Sequence, residues 1–294
     1  MKNYLSILIV LSIASCGYPN KEENVKVETA TIDSMHSFLT TLDLRLPESA
    51  GSALSYTQTI MQTMDEDRRD SAFILYRQFF YEVLIKQNEV LSQNEFIAGA
   101  LAENKQDVEE VEYFRKKITD NGMVFLQSEG FFYIDEHHNY LHNAFSKFVS
   151  DPIKKLLEMR KEEMRKGFSE DGALLISFKE VGERLRNWEK LLEENPSLKL
   201  QDEGKGYYNL YFSTFLTGLD NTPAFNNQTQ ILVPEAQEAY EDYIKSYKET
   251  RSGEIVSAYY NMLQQNNFKK PEQLKNFLME NNITGMEGIQ PPTR

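Results

Sequence analysis

Three of the four histidines in this 294-residue chain fall within residues 135–142, DEHHNYLH. On a helix, His138 and His142 would lie one turn apart, and Asp135 would lie one turn before His138. Carboxylate and imidazole groups placed in this way can converge on one divalent cation. The spacing therefore suggests a metal site, and with it a metal-dependent hydrolase, formed by Asp135, His138 and His142. The alternative, which we favour, is that Asp135 caps a helix whose histidines are ordinary polar groups.

Other catalytic patterns are missing from the sequence. The His-Glu-x-x-His order of metalloproteases, the Gly-x-Ser-x-Gly elbow of hydrolases and the glycine-rich phosphate loops do not occur. Pairs of adjacent acids, such as Glu162 with Glu163, could be imagined as glycosidase carboxylates. Adjacent residues on a helix point in different directions, so we predict that these pairs belong to solvated helix faces. We predict no catalytic residue and no cofactor.

The N-terminus has the three parts of a secretory signal peptide. These are the positive Lys2, an apolar run over residues 4–13, and small residues just before Cys16. The apolar run is about half of the roughly 20 residues that a membrane-spanning helix needs. We therefore predict a signal peptide over residues 1–15. Cys16 is the only cysteine, which excludes a disulfide within the chain.

The four residues Ile13-Ala14-Ser15-Cys16 resemble the lipobox of bacterial lipoproteins, in which an aliphatic residue and two small residues precede a cysteine. The resemblance implies that the Cys16 thiol carries a diacylglyceryl group, that cleavage occurs just before it, and that the new amine is acylated. Two or more acyl chains hold a protein stably on a membrane, whereas one chain gives only marginal binding. The alternative is an ordinary secretory peptide in which the cysteine has no such role.

Residues 16–30 are polar, contain Pro19 and show no helical or strand period, so we predict a flexible acidic tether. Within it, Lys21-Glu22-Glu23 resembles the short charged signals that direct some lipoproteins of the Bacteroidota to the outer face of the outer membrane. The expected location is the bacterial cell envelope, with a lipid anchor in the outer membrane. Whether the protein faces the periplasm or the outside is left open.

The composition indicates a folded, acidic body. There are 32 basic against 45 acidic residues, which gives a formal net charge of −13 and makes nucleic acid a poor partner. Aromatic residues make up 12% of the chain, far more than disordered acidic segments contain. The expected partners are the membrane, through lipidated Cys16, and an envelope protein, peptide or glycan.

Apolar residues recur at spacings of three and four along much of the chain, which predicts amphipathic helices. One such helix runs through residues 72–84. A second begins at the capping pattern SFKE of residues 177–180 and ends just before Pro196. A third covers residues 208–219 and is closed by Gly218.

Further helices are predicted from proline at the first helical position. Pro152, Pro234 and Pro271 each open one. Residues 107–118 and 252–265 are also expected to be helical. The total of about eight to ten helices predicts an all-α fold, either a helical bundle or an α-solenoid-like array.

One segment departs from the helical period. Residues 123–126 and 131–134 are β-favouring runs separated by four residues that include a glycine, which predicts one small β-hairpin. Two buried helical turns are the alternative. A single helical domain is expected over residues 31–284, followed by a flexible tail over residues 285–294.

Taken together, the anchor and the aromatic-rich helical body favour a non-enzymatic module. It would bind a protein, peptide or glycan at the cell envelope. The alternative function is the metal-dependent hydrolase that would use Asp135, His138 and His142.

Overall fold

The computed structural model describes residues 31–102, 108–128 and 130–284. The predicted signal peptide, Cys16, the tether and the tail lie outside these residues. Twelve α-helices make up most of the described part, which confirms the predicted mainly α-helical fold. The helices are α1 Ile32–Leu39, α2 Glu48–Met61, α3 Glu66–Gln93, α4 Glu95–Ala102, α5 Glu109–Asp120, α6 Tyr140–Phe145, α7 Asp151–Lys166, α8 Phe178–Glu194, α9 Gln201–Thr217, α10 Pro234–Tyr247, α11 Arg251–Gln265 and α12 Leu274–Glu280.

The described helices outnumber the eight to ten that were predicted because four of them are very short. Helices α1, α4, α6 and α12 have only six to eight residues, too few to show a clear apolar period. The predicted helix at Pro271 is one of these. It begins three residues later, at Leu274, after a turn in which the Leu274 N–H donates to the Pro271 carbonyl.

The ends of the long helices follow the predicted capping chemistry, with one difference. The Ser177 hydroxyl caps α8 by accepting a hydrogen bond from the Glu180 N–H at 3.2 Å. The carboxylate of Glu180 does not reach back, because it pairs with Lys166 at 2.8 Å and with Arg184 at 3.1 Å. Helix α9 ends at Gly218, which has a φ of +72° that favours glycine.

Strands are few in the described part of the chain, and all of them form two-stranded antiparallel pairs. The largest pair confirms the predicted hairpin, although its strands are longer and its connection shorter than predicted. The two minor pairs join short turns between helices. The strands are β1 Met123–Ser128 with β2 Phe131–Glu136, β3 Ser169–Glu170 with β4 Ala173–Leu174, and β5 Gly218–Leu219 with β6 Thr222–Pro223.

The hairpin is attached to α3 along the outer edge of β2. The side-chain amide of Asn88 donates to the Ile134 carbonyl at 2.7 Å and accepts from the Ile134 N–H at 2.8 Å. This amide takes the place that a third strand would occupy. A lone hairpin is marginally stable in water, so its attachment to a 28-residue helix explains how it persists here.

The buried apolar side chains form one continuous cluster, which extends from Met35 in α1 to Ile283, just after α12. Aromatic rings supply much of its volume. Trp188 of α8 stacks on Tyr207 of α9 with ring centroids 4.5 Å apart, at the interface of the α8–α9 helix pair. Such a ring pair contributes about 1 kcal/mol beyond its buried area.

Two glycines at the ends of β1 and β2 allow a direct test of how tightly the hairpin packs. Gly122 and Gly130 have nearly the same φ, +82° and +84°. A Cβ on Gly122 would lie 2.3 Å from the Tyr140 ring, whereas a Cβ on Gly130 would meet nothing within 4 Å. We expect Gly130→Ala to lower the free energy of unfolding by about 1–2 kcal/mol, from backbone strain alone. Gly122→Ala should cost about 1–3 kcal/mol more, because it also overpacks.

Chemical denaturation of the two variants and the wild type measures both the loss from backbone strain and the additional loss from overpacking. Equal losses for Gly122→Ala and Gly130→Ala would show that Tyr140 is free to move away. That result would contradict the close packing of the hairpin against α6.

Candidate functional site

The predicted metal ligands do not share a helix. Asp135 lies in β2, His138 lies in the turn that follows, and His142 lies in α6. The chain stays extended because the His137 N–H donates to the Gly122 carbonyl at 2.9 Å, which continues the hairpin. The helical spacing that suggested the alternative metal site is therefore wrong. Within the described residues, no group of three His, Cys, Asp or Glu side chains is placed to hold a metal ion.

The histidine side chains make local contacts instead. The His137 and His138 rings lie 4.5 Å apart, and a ring nitrogen of His137 is 2.7 Å from the Asn139 side-chain oxygen. His142 contacts the neighbouring Asn143 side chain at 3.3 Å. Burial, followed by the charge of His137, lowers the pKa of His138. These contacts agree with one part of the alternative that we favoured from the sequence, in which the histidines are polar groups of the surface and its margin. The other part is wrong, because Asp135 lies in β2 and does not cap a helix; the residue before α6 is Asn139.

The inner face of the hairpin is tied to the helices by a buried charge network around Glu136. The Tyr81 hydroxyl donates to the Glu136 carboxylate at 2.9 Å, and the Arg160 guanidinium lies 3.4 Å from the same oxygen. Arg160 also approaches Glu203 of α9 at 3.6 Å, and Glu203 pairs with Arg77. Burial raises the pKa of Glu136, while Arg160 acts in the opposite direction. This network connects β2 with α3, α7 and α9 and fixes the position of the hairpin.

Large apolar side chains are exposed on the hairpin and on the helices that contact it. Phe131, at the start of β2, is 77% exposed. Ile85 of α3, Phe96 of α4 and Tyr113 of α5 are each more than half exposed. We call these four residues the hairpin surface, because α3, α4, α5 and the hairpin pack on one another. Exposed apolar side chains on neighbouring elements can form the kind of apolar patch that is typical of interaction sites.

Elsewhere in the described residues, the exposed large apolar side chains are scattered. They belong to four segments at different places along the chain, and single exposed groups of this kind are normal on a protein surface. The four are Leu46, Leu175, Ile231 and Met279.

The two-residue period of β2 explains why Phe131 points away from the core. Ile134 and Glu136 are buried against the helices, so Phe132 lies on their face and Phe131 lies on the opposite face. Phe131 pairs with Ser128 at the far end of the hairpin, next to the turn at Gly130. The strand period explains why residue 131 faces solvent, but the local structure gives no reason for a large apolar side chain at this position.

A second feature, which the sequence analysis missed, is a polar cleft of about 350 Å³ between α7 and α8. Its buried wall contains Glu163, which we predicted to be solvated together with Glu162. That prediction is wrong for Glu163, which accepts hydrogen bonds from the Tyr211 hydroxyl at 2.7 Å and from the Trp188 indole N–H at 2.9 Å. Burial raises the pKa of Glu163 to about 7. Glu162 is exposed and pairs with Arg165 at 2.9 Å, as expected.

Comparison with known proteins gives no functional assignment. No protein-family model, no curated protein and no solved structure matches the chain. Among residues 31–102, 108–128 and 130–284, no helix combines the length and the apolar character that crossing a bilayer requires. What the protein does has to be inferred from its surfaces and its buried networks.

Proposed function

We propose that the protein is a lipid-anchored module of the bacterial cell envelope that binds a partner protein through the hairpin surface and acts without catalysis. The exposure of Phe131 on a firmly held hairpin carries this proposal. Aromatic side chains are enriched in protein interfaces, where a rigid ring buries a large area with little loss of conformational entropy. Covering apolar surface contributes about 25 cal/mol per Å² removed from water.

The rigidity beneath the hairpin surface supports a binding role. Glu136, Tyr81 and Arg160 hold the inner face of β2, and Asn88 holds its edge. A partner that contacts Phe131 would therefore not have to order the hairpin first. Preorganisation of this kind strengthens binding because less entropy is lost on association.

The anchor is the second part of the proposal. It rests on the resemblance of residues 13–16 to a lipobox, with Cys16 as the lipidated residue. Even fully extended, the residues between Cys16 and Thr31 span at most about 50 Å. An anchored Cys16 would therefore keep the helical body near the membrane, where an envelope partner would meet it.

A photo-crosslinking experiment in the native organism tests both parts. The benzophenone amino acid p-benzoylphenylalanine replaces Phe131 in one variant and Met279 in a control variant. Met279 is 66% exposed and lies outside the hairpin surface. We expect a discrete adduct from position 131 and none from position 279. In a Cys16→Ser background, a fatty-acid probe should no longer label the protein, and the adduct at position 131 should be lost.

The outcomes separate the anchor from the surface. Equal adducts from positions 131 and 279 would contradict a role for the hairpin surface. Fatty-acid label that persists in Cys16→Ser would contradict the anchor. Phe131→Ser should leave the free energy of unfolding within about 0.5 kcal/mol of wild type, since this side chain is mostly in solvent. If the partner identified by the adduct co-purifies with the wild type but not with Phe131→Ser, this loss can then be assigned to the surface rather than to unfolding.

A further inference from the structure

The β1–β2 hairpin has two long edges, and only one of them is paired within the described residues. The edge formed by β2 is covered by α3, where the Asn88 side chain binds both the N–H and the C=O of Ile134. The other edge belongs to β1. The hydrogen-bond pattern of the hairpin determines which backbone groups point outward there.

The contacts of β2 fix this pattern. In an antiparallel pair, positions at which opposite residues bond each other alternate with positions at which both direct their backbone groups away. Ile134 is of the second kind, because its N–H and C=O bind α3. Glu136 is too, because its N–H donates to the Asp135 side chain at 2.7 Å. Phe125 is opposite Ile134, and Gln127 lies two positions further along β1, so both direct an N–H and a C=O away from β2.

We call these four backbone groups of Phe125 and Gln127 the β1 edge. None of them has a hydrogen-bond partner in residues 31–102, 108–128 or 130–284. Residues 124–128 are all at least partly exposed. Because buried backbone groups without a partner are rare, we conclude that the β1 edge faces solvent.

The β1 strand lacks the features that usually protect a free edge. Proteins protect such edges with charged residues, with proline or with a bulge. The six residues of β1, MVFLQS, include no charge and no proline, and they pair one to one with β2 without a bulge. A free edge of this kind can accept the backbone of another chain.

The two faces of the hairpin indicate which side chains an added strand would need. Val124 and Leu126 lie on the outer face together with Phe131, so apolar groups are favoured on that face. On the other face, the Phe125 ring contacts α5, and the Arg115 guanidinium lies 5.5 Å from that ring. Within the described residues, Arg115 makes only a long ion pair of 3.6 Å inside its own helix. An acidic side chain beside the β1 edge would give Arg115 a closer partner.

We propose that the β1 edge binds an extended segment of a partner protein, which adds to the hairpin as a third, antiparallel strand. The segment would alternate apolar residues on the outer face with acidic or other polar residues on the face of α5. Main-chain hydrogen bonds would hold the segment, and its side chains would determine specificity. A second copy of β1 fits less well, because β1 has no acidic residue to offer Arg115.

This inference rests on the proposed function, since it names the kind of segment that a partner of the hairpin surface would supply. The two can nevertheless fail separately. If position 131 forms its adduct but the peptide tests described next fail, strand addition is wrong and the hairpin surface binds through side chains alone.

Fluorescence polarisation with a labelled peptide, Val-Glu-Val-Thr-Val amide, and the full chain in detergent tests strand addition. Two isomers carry two N-methyl groups each. In one isomer they replace the N–H groups of the second and fourth residues, which would face β1; in the other they replace those of the third and fifth residues, which would face away. We expect the unmethylated peptide and the second isomer to bind similarly, and the first isomer to bind about tenfold more weakly.

Variants of the protein test the same bonds from the other side. Gln127→Pro removes an outward N–H but no hydrogen bond of the hairpin, and proline is tolerated where a strand N–H faces solvent. It should weaken peptide binding about tenfold, whereas Gln127→Ala, which keeps the N–H, should bind like wild type. Arg115→Gln should weaken binding about two- to fivefold, but not the binding of a peptide with glutamine in place of glutamate.

The outcomes that overturn the proposal are distinct. No binding of the unmethylated peptide, equal affinities for the two methylated isomers, or equal affinities for Gln127→Pro and Gln127→Ala would each do so. A dimer of the full chain in sedimentation that Gln127→Pro dissociates would assign the β1 edge to self-association instead. Thermal unfolding shows whether Gln127→Pro is folded, and the methylated isomers decide with the wild type alone if it is not.

Discussion

Replacing Arg160 with methionine is expected to lower the free energy of unfolding by about 3–5 kcal/mol at pH 8. Methionine keeps most of the length and apolar stem of arginine but removes its charge. The Glu136 carboxylate, which is buried beneath the hairpin, would then lack its nearest cation. Glu203 would be less affected, because Arg77 still pairs with it.

The loss in Arg160→Met should depend on pH. Burial already raises the pKa of Glu136, and the guanidinium of Arg160 is the main influence that opposes this rise. Removing Arg160 therefore raises the folded-state pKa of Glu136 further. When the folded-state pKa of a group lies above its unfolded-state pKa, the free energy of unfolding of the protein falls as the pH rises through the folded-state value. Urea denaturation at pH 5 and pH 8 should show the smaller loss at pH 5.

A double variant provides the control. Arg160→Met with Glu136→Gln removes both charges and should be more stable at pH 8 than Arg160→Met alone. Two nitrogens of Arg160, Nε and Nη1, have no hydrogen-bond partner within the described residues, so the intact pair is not an optimal one. Removing one partner of such a pair lowers the free energy of unfolding far more than removing both partners together. A double variant as unstable as the single one would assign the loss to packing instead.

The long helices could be predicted from the sequence because their signals are local. The apolar spacing of residues 72–84 reports one buried face of α3, and the Ser177 cap and Pro196 bound α8 within a few residues. The structure extends α3 to 28 residues because polar stretches at both ends of the periodic segment are also helical. Periodicity identifies the buried face of a helix more reliably than its ends.

The burial of Glu163 could also have been predicted, from helical geometry. Ile153, Leu156 and Leu157 define the inner face of α7, and Arg160 and Glu163 continue that face at spacings of three and four. An arginine and a glutamate on an apolar stripe indicate that each side chain is buried with polar partners rather than solvated. We predicted solvation because we considered the adjacent acids as a pair instead of placing each on the helix.

The hairpin surface could not have been predicted in the same way. Residues 123–126 and 131–134 are apolar throughout, so they show no alternation that would identify an outer face. Which face is buried is decided by α3, whose Asn88 and Tyr81 bind β2 from more than 40 residues earlier in the chain. Asp135 is kept in a strand by its pairing with Val124 of β1, which the helical spacing of residues 135–142 could not reveal.

The second large effect is expected from Glu163, whose titration should make the protein less stable as the pH rises. Burial raises the folded-state pKa of Glu163 to about 7, whereas its ordinary value is 4.5. Between these two values the folded protein holds a proton that the unfolded chain has released. The free energy of unfolding therefore falls with rising pH in this window, by about 3 kcal/mol in total, and below pH 4.5 Glu163 contributes no pH dependence.

Glu163→Gln should remove that pH dependence, because the amide resembles the protonated carboxyl and does not titrate. The free energy of unfolding of the wild type falls between pH 4.5 and pH 8, whereas that of the variant does not. We therefore expect the difference between the two to shift by about 3 kcal/mol in favour of the variant over this range. Glu162→Gln, one residue away, is the matched control. Arg165 lowers the pKa of Glu162, so the titration of Glu162 falls below this window and its removal should leave the profile unchanged.

Fluorescence provides an independent measurement at the same atoms. Trp188 is the only tryptophan in the chain, and its indole N–H donates to the Glu163 carboxylate. Ionisation of Glu163 should therefore change the emission of the native protein with a midpoint near pH 7. This transition should be absent in Glu163→Gln and retained in Glu162→Gln. Because the native state is observed directly, a transition that persisted in Glu163→Gln would assign the titration to another group, even if the stability profiles agreed.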